Sequence, residues 1–125
     1  MFEIAVEATF SAAHQLRGYQ GSCSRLHGHN FGIRVSVTTD QLDAVGMGLD
    51  FRKLRAILEE STGRLDHQNL NEVPPFDVIN PTSEHLARVL FEELKPKLAC
   101  VRVTIRSVRV SESGTVAVTY EEDRP

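Results

Sequence analysis

The sequence predicts a single α+β domain, a four-stranded antiparallel sheet with two helices inserted between its second and third strands. Apolar and polar residues alternate near both ends of the chain, and two stretches with helical apolar spacing fill its middle. At 125 residues the chain can bury one core comfortably but not two, so one domain accounts for residues 1–125.

Phe2, Ile4, Val6, Ala8 and Phe10 alternate with Glu3, Glu7 and Thr9, the pattern of a strand with one buried face. Phe31, Ile33, Val35 and Val37 repeat it from His29 to Thr38, and parity puts His29 on the apolar side, at the rim of the core. After the turn-rich stretch from Thr39 to Gly48, Asp50 is placed to cap a helix bearing Phe51, Leu54, Ile57 and Leu58 and ending at Gly63. A second helix opens at Asn80-Pro81-Thr82-Ser83, with proline in its first turn. Its apolar face is Leu86, Ala87, Leu90, Phe91 and Leu94, and Pro96 is expected to stop it. Val101, Val103, Ile105, Val108 and Val110, then Val116, Val118 and Tyr120 after Ser113-Gly114, read as a closing hairpin. Four strands leave two open sheet edges, which invite pairing between subunits, so an oligomer closed into a barrel is expected, the alternative being a monomer whose charged edge residues block pairing.

Composition removes several functional classes. No apolar run approaches the roughly 20 residues of a membrane span, and the net charge of −3 with scattered basic residues argues against nucleic acid as the main partner. Arg17, Arg25 and Arg64 could meet a phosphate-bearing ligand, although a solvated surface charge is the plainer role for each. The chain opens directly on a strand with no basic stretch leading into an apolar one, so a cytoplasmic protein is expected. Cys23 and Cys100 are then expected as reduced thiols.

The chemistry concentrates in Phe10-Ser-Ala-Ala-His14 and Cys23-Ser-Arg-Leu-His27-Gly-His29-Asn30. His27 and His29, two apart on an extended strand, project to one face, and His14 can supply a third nitrogen from the neighbouring strand. Three neutral imidazoles suit zinc and leave its fourth position open. Cys23 decides between two readings. As a fourth ligand it would close a structural site, and as a free thiol near the metal, with Arg25 close by to favour the thiolate, it could act as base or nucleophile. Each histidine alone could be an ordinary core or surface residue. The clustering of three of the chain's five histidines with one of its two cysteines favours the metal.

These motifs, with Asp50-Phe51, Leu65-Asp66-His67-x-x-Leu70-Asn71, Asn80-Pro81-Thr82-Ser83-Glu84 and Glu112, resemble the 6-pyruvoyl-tetrahydropterin synthase family over nearly the whole chain. The nearest branch looks like the 6-carboxy-5,6,7,8-tetrahydropterin synthases of the queuosine pathway. Three residues separate Cys23 from His27, as in that branch, while Gln68 stands where many of its members carry a second histidine. The resemblance implies the tunnelling fold, in which subunits form barrels by edge pairing and rings can stack, giving a trimer or hexamer. It implies zinc on His14, His27 and His29, a free Cys23, and Asp66 with His67 as a proton relay to Cys23 across a subunit boundary. Glu112 becomes the pterin anchor, with Thr82, Ser83 and Glu84 as further substrate contacts.

The implied activity is that of a zinc-dependent lyase converting 7,8-dihydroneopterin triphosphate to 6-carboxy-5,6,7,8-tetrahydropterin with release of acetaldehyde and triphosphate. The runner-up is the pyruvoyl-forming synthase acting on the same substrate. A rival of another class is a non-catalytic protein that binds zinc and pterin, or a purely structural zinc protein, which the ligand count at the metal would distinguish.

Overall fold

The computed structural model describes residues 1–123. It contains strands β1 (Phe2–His14), β2 (His27–Thr39), β3 (Gln68–Asn69), β4 (Thr104–Ser113) and β5 (Val116–Tyr120), and helices α1 (Phe51–Gly63) and α2 (Ser83–Ala99). The sheet order is β3-β1-β2-β4-β5, antiparallel except where β3 runs parallel to β1. The expected four-stranded antiparallel sheet is therefore corrected to a five-stranded mixed one. The added strand is two residues long and carries no apolar alternation, so no periodicity could announce it. It also separates the helices, α1 lying between β2 and β3 and α2 between β3 and β4.

Both helices cover the same sheet face, α1 against β1 and α2 against β4 and β5. That face supplies Val6, Phe10, Phe31, Ile33, Val35, Val37, Val108 and Val110 to the core, and the helices supply Leu54, Leu58, Leu86, Leu90, Leu94 and Leu98. The other face is polar, and ion pairs cross it from Arg34 to Glu7 at 3.2 Å and from Arg106 to Glu3 at 3.2 Å.

Asp50 caps α1 by accepting the Arg52 N–H at 2.9 Å. Thr82 caps α2 by accepting the His85 N–H at 3.1 Å, which puts Pro81 just before the cap instead of inside the first turn. Pro96 does not stop α2, which runs on to Ala99 and buries Leu98 completely. Pro96 withholds the one N–H that would bond to the Glu92 carbonyl, and packing of the buried Leu98 carries the last turn past that loss. Among the described residues no helix is long and apolar enough to cross a membrane.

Two irregularities in β4 bear on the site. Ser107 pairs with Ser36 but Ile105 with Val37, so Arg106 is an extra residue, and this bulge switches the buried parity from Val103 and Ile105 to Val108 and Val110. Ser111 pairs with Ala117 but Ser113 with Val116, so Glu112 is a second extra residue, its direction released from strict alternation.

Candidate functional site

β1 continues past the apolar alternation to His14, and antiparallel pairing sets His14 directly opposite His27 and Ala12 opposite His29. All three imidazoles thus extend the core-facing rows Phe10-Ala12-His14 and Phe31-His29-His27 to the end of the sheet. Phe31 walls the cluster from below, edge-on to His14 at 5.3 Å and to His29 at 5.5 Å. The ring centroids of the histidines are 4.6 to 5.3 Å apart, and one ligand atom from each lies within 4.8 Å of the others.

The hydrogen bonds around the rings select the nitrogens that remain free. Nδ1 of His14 lies 2.7 Å from the Pro81 carbonyl, and Nδ1 of His27 lies 2.7 Å from the Arg25 carbonyl. A carbonyl only accepts, so both Nδ1 atoms carry the proton and both Nε2 atoms keep their lone pairs. Nε2 of His14 is buried and has no partner, an orphan that a cation would satisfy. Burial lowers the His14 pKa, with the neighbouring His27 and His29 adding to the effect against the raising influence of the Pro81 carbonyl and Glu112. The lowered pKa favours the neutral ring that metal binding requires. Three histidines, two of them held at Nδ1 by backbone carbonyls, with one nitrogen left orphaned, fit a divalent transition metal.

Glu112 joins this cluster to a second group of residues. Its Oε2 lies 3.5 Å from Nε2 of His29, and its Oε1 accepts the Ser83 hydroxyl at 2.8 Å. Beside it opens a cleft lined by Leu16, Thr82, Ser83, Glu84, Glu112 and the β5 residues from Val116 to Val118. All four residues expected to contact substrate therefore share one cleft, whose polar wall is the first turn of α2.

Asp66 and His67 form a different group. Asp66 accepts the Ser11 N–H through Oδ1 at 2.9 Å and faces Nδ1 of His67 through Oδ2 at 2.9 Å. Those two contacts, Ser11 N–H first, hold its carboxyl below the usual carboxylate range. His67 takes a left-handed backbone, φ 58°, and its N–H donates to the Ser11 carbonyl. The pair sits on the outer edge of β1 with the His67 side chain 81% exposed. Cys23 lies half-buried on a single 3₁₀ turn, Ser22–Ser24, and its carbonyl accepts the Leu16 N–H at 2.9 Å. Cys23 is outside the three-histidine group, and no hydrogen bond or ion pair among the described residues joins it to Asp66 or His67.

Sequence reasoning gave no role to the residues that brace the exit from β1. The Asn71 amide accepts the Gln15 N–H at 2.9 Å and donates to the Gln15 carbonyl at 3.0 Å, and Asn80 embraces Arg17 in the same two-way manner at 2.9 and 3.0 Å. Both asparagines stand in the quoted motifs, which was the available signal. The Arg17 guanidinium is spent on backbone carbonyls, Phe76 at 2.6 Å and Ile79 at 3.3 Å, and Arg64 pairs with Glu93, so both of these candidate phosphate-binding guanidiniums are engaged within the chain.

Residues 3–123 match the family described as 6-pyruvoyl tetrahydropterin synthase. The chain belongs to that family. It is 38% identical over 129 aligned positions to a 6-carboxy-5,6,7,8-tetrahydropterin synthase of Synechocystis sp., covering 99% of this chain and 96% of the relative. It is 33% identical to a 6-pyruvoyl tetrahydrobiopterin synthase of Dictyostelium discoideum, covering 89% of each. The 6-pyruvoyl tetrahydropterin synthase structure of Caenorhabditis elegans superposes with a TM-score of 0.86 at 27% identity, covering 98% of this chain and 96% of that one.

Proposed function

We propose that this family member is a zinc-dependent lyase that converts 7,8-dihydroneopterin triphosphate to 6-carboxy-5,6,7,8-tetrahydropterin, releasing acetaldehyde and triphosphate. The carrying observation is the juxtaposition of three imidazoles, offering ligand atoms within 4.8 Å of one another, with a cleft whose carboxylate reaches His29.

In this reading His14, His27 and His29 hold zinc, whose open fourth position would polarise a side-chain oxygen of the substrate and acidify the adjacent C–H. Glu112 accepts paired N–H donors from the pterin ring, a charge-assisted arrangement, with Ser83 setting the carboxylate's direction. Thr82 and Glu84 complete the wall of the same cleft. Cys23, as thiolate, takes the proton. Asp66 holds the ring of His67 by Nδ1 and leaves Nε2 to exchange a proton with the reacting side chain.

No hydrogen bond or ion pair among the described residues joins Asp66 or His67 to Cys23 within one chain, which supports a site completed between subunits. The relay pair stands on the β1 edge, where β3 covers only Ala12 and Ala13 and leaves the strand's long N-terminal part unpaired among the described residues. A second chain pairing there would bring the relay to another subunit's thiol and build a trimeric barrel, or a hexamer of two such rings.

The same residues would serve the pyruvoyl-forming reaction, in which the side chain is rearranged internally and kept. Mass spectrometry after incubation of the zinc-loaded protein with 7,8-dihydroneopterin triphosphate separates the readings. The carboxy product with acetaldehyde supports the lyase, and a pyruvoyl product supports the runner-up. Pterin bound but unchanged would support a non-catalytic binding protein.

A further inference from the structure

His85 is the one histidine that no proposed role absorbs, and its contacts lead back to the metal cluster. It occupies the first turn of α2, where its Nδ1 lies 2.6 Å from the Asn80 carbonyl, which makes Nδ1 the protonated nitrogen. The same carbonyl accepts the Thr82 N–H at 2.8 Å. That N–H belongs to the peptide between Pro81 and Thr82, and in a trans peptide the N–H and C=O point in opposite directions. The far end of this unit is the Pro81 carbonyl, which meets Nδ1 of His14 at 2.7 Å. Proline locks φ of residue 81, so few torsions are left to absorb a shift of the Asn80 carbonyl. The Asn80 side chain, clamped to both backbone groups of Arg17, fixes that end of the turn to the strand exit after His14.

We propose that His85 is a positioning residue for the metal site: by holding the Asn80 carbonyl it fixes the 81–82 peptide, whose carbonyl orients His14 and keeps its Nε2 aimed into the cluster. The inference rests on reading the three histidines as a metal site. It assigns His85 no contact with substrate.

The test exploits an isostere. Asparagine carries its Nδ2 donor on Cγ, as histidine carries Nδ1, so His85→Asn can restore the bond to the Asn80 carbonyl and His85→Ala cannot. Zinc affinity by chelator competition should fall severalfold in His85→Ala, up to the roughly 10- to 100-fold that follows loss of the group bonded directly to a ligand ring, and return close to wild type in His85→Asn. Thermal unfolding of the metal-free proteins separates this from general destabilisation, which would not be relieved selectively at the metal. Wild-type affinity in His85→Ala, or His85→Asn as weak as His85→Ala, would overturn the proposal. Should His85→Ala not fold, long-range 15N–1H spectra of the metal-free wild type and His85→Asn still decide. Both must show His14 protonated on Nδ1, and a His14 ring protonated on Nε2 in either overturns the inference. Failure of the wild type to bind zinc would strike the metal reading instead, and the ring tautomers would continue to test the positioning of His14.

Discussion

The hydroxyl of Ser83 donates to Oε1 of Glu112 at 2.8 Å, tying the first turn of α2 to the second bulge of β4. The other oxygen of the same carboxylate lies 3.5 Å from Nε2 of His29, so Glu112 spans the boundary between the cleft and the histidine cluster. A bulge lets a strand residue leave strict alternation, and the serine fixes where the released side chain goes.

Ser83→Ala is expected to weaken pterin binding by about 1 kcal/mol, roughly fivefold, because one neutral-donor bond to the anchor is lost. Glu112→Gln should cost more, about 1.5–3 kcal/mol, since a charge-assisted acceptor pair is removed. Direct titration with a pterin measures both. Unchanged binding in Glu112→Gln would count against the anchor, and a larger loss in Ser83→Ala than in Glu112→Gln would mean that serine is itself the main contact.

Phe31 is fully buried, stacks on Phe10 at 5.1 Å, and walls His14 and His29. Phe31→Ala should destabilise the chain by about 3–5 kcal/mol, measured by denaturant unfolding. Phe31→Leu should retain most stability yet bind zinc less tightly, since the rings of two ligands lose their wall. Equal zinc affinity in Phe31→Leu would show that the strand register alone places the histidines.

Asp66 gives a pH dependence of defined sign. Its folded pKa is lowered, first by the Ser11 N–H and then by His67, from the ordinary 3.8. A depressed carboxyl stabilises the fold above its ordinary pKa, and that contribution disappears as pH falls through the folded pKa. Wild type should therefore melt higher than Asp66→Asn by a margin that is constant from about pH 7 to 5 and shrinks below about pH 4. A margin that grows on acidification would contradict the assignment.

The strands that carry the histidines were legible because a half-buried strand advertises itself by alternation, and the parity of Phe31 to Val37 already set His29 on the core side. His14 was likewise expected on the neighbouring strand, and β1 reaches it although Ser11-Ala12-Ala13 carries little apolar signal, because pairing with Gly28 to Asn30 holds that stretch as strand. The bulges at Arg106 and Glu112 arise from pairing with other strands, and only the parity jump from Ile105 to Val108 hinted at the first. The link from Ser83 through Glu112 to His29 joins three distant segments, and local sequence does not encode such contacts. The Asn80-Pro81-Thr82-Ser83 motif was visible as a helix start, yet its carbonyls, which hold His85 and His14, carry no side-chain signature at all.

A site shared between subunits makes a complementation prediction. Cys23→Ala and His67→Ala should each be inactive alone, and mixing them under conditions of subunit exchange should recreate some sites that are wild type at both positions. Activity ought to reappear at intermediate ratios. Verified mixed oligomers that remain inactive at every ratio would place the relay within one chain or remove it from the mechanism.

If three histidines hold the metal while Cys23 stays free for chemistry, the metal content of purified variants will separate the two groups. Cys23→Ala should purify with about one zinc per chain and His14→Ala, His27→Ala and His29→Ala with far less, because two imidazoles alone make a weak site. Loss of zinc from Cys23→Ala would instead make Cys23 a fourth ligand and the cluster a closed, structural site.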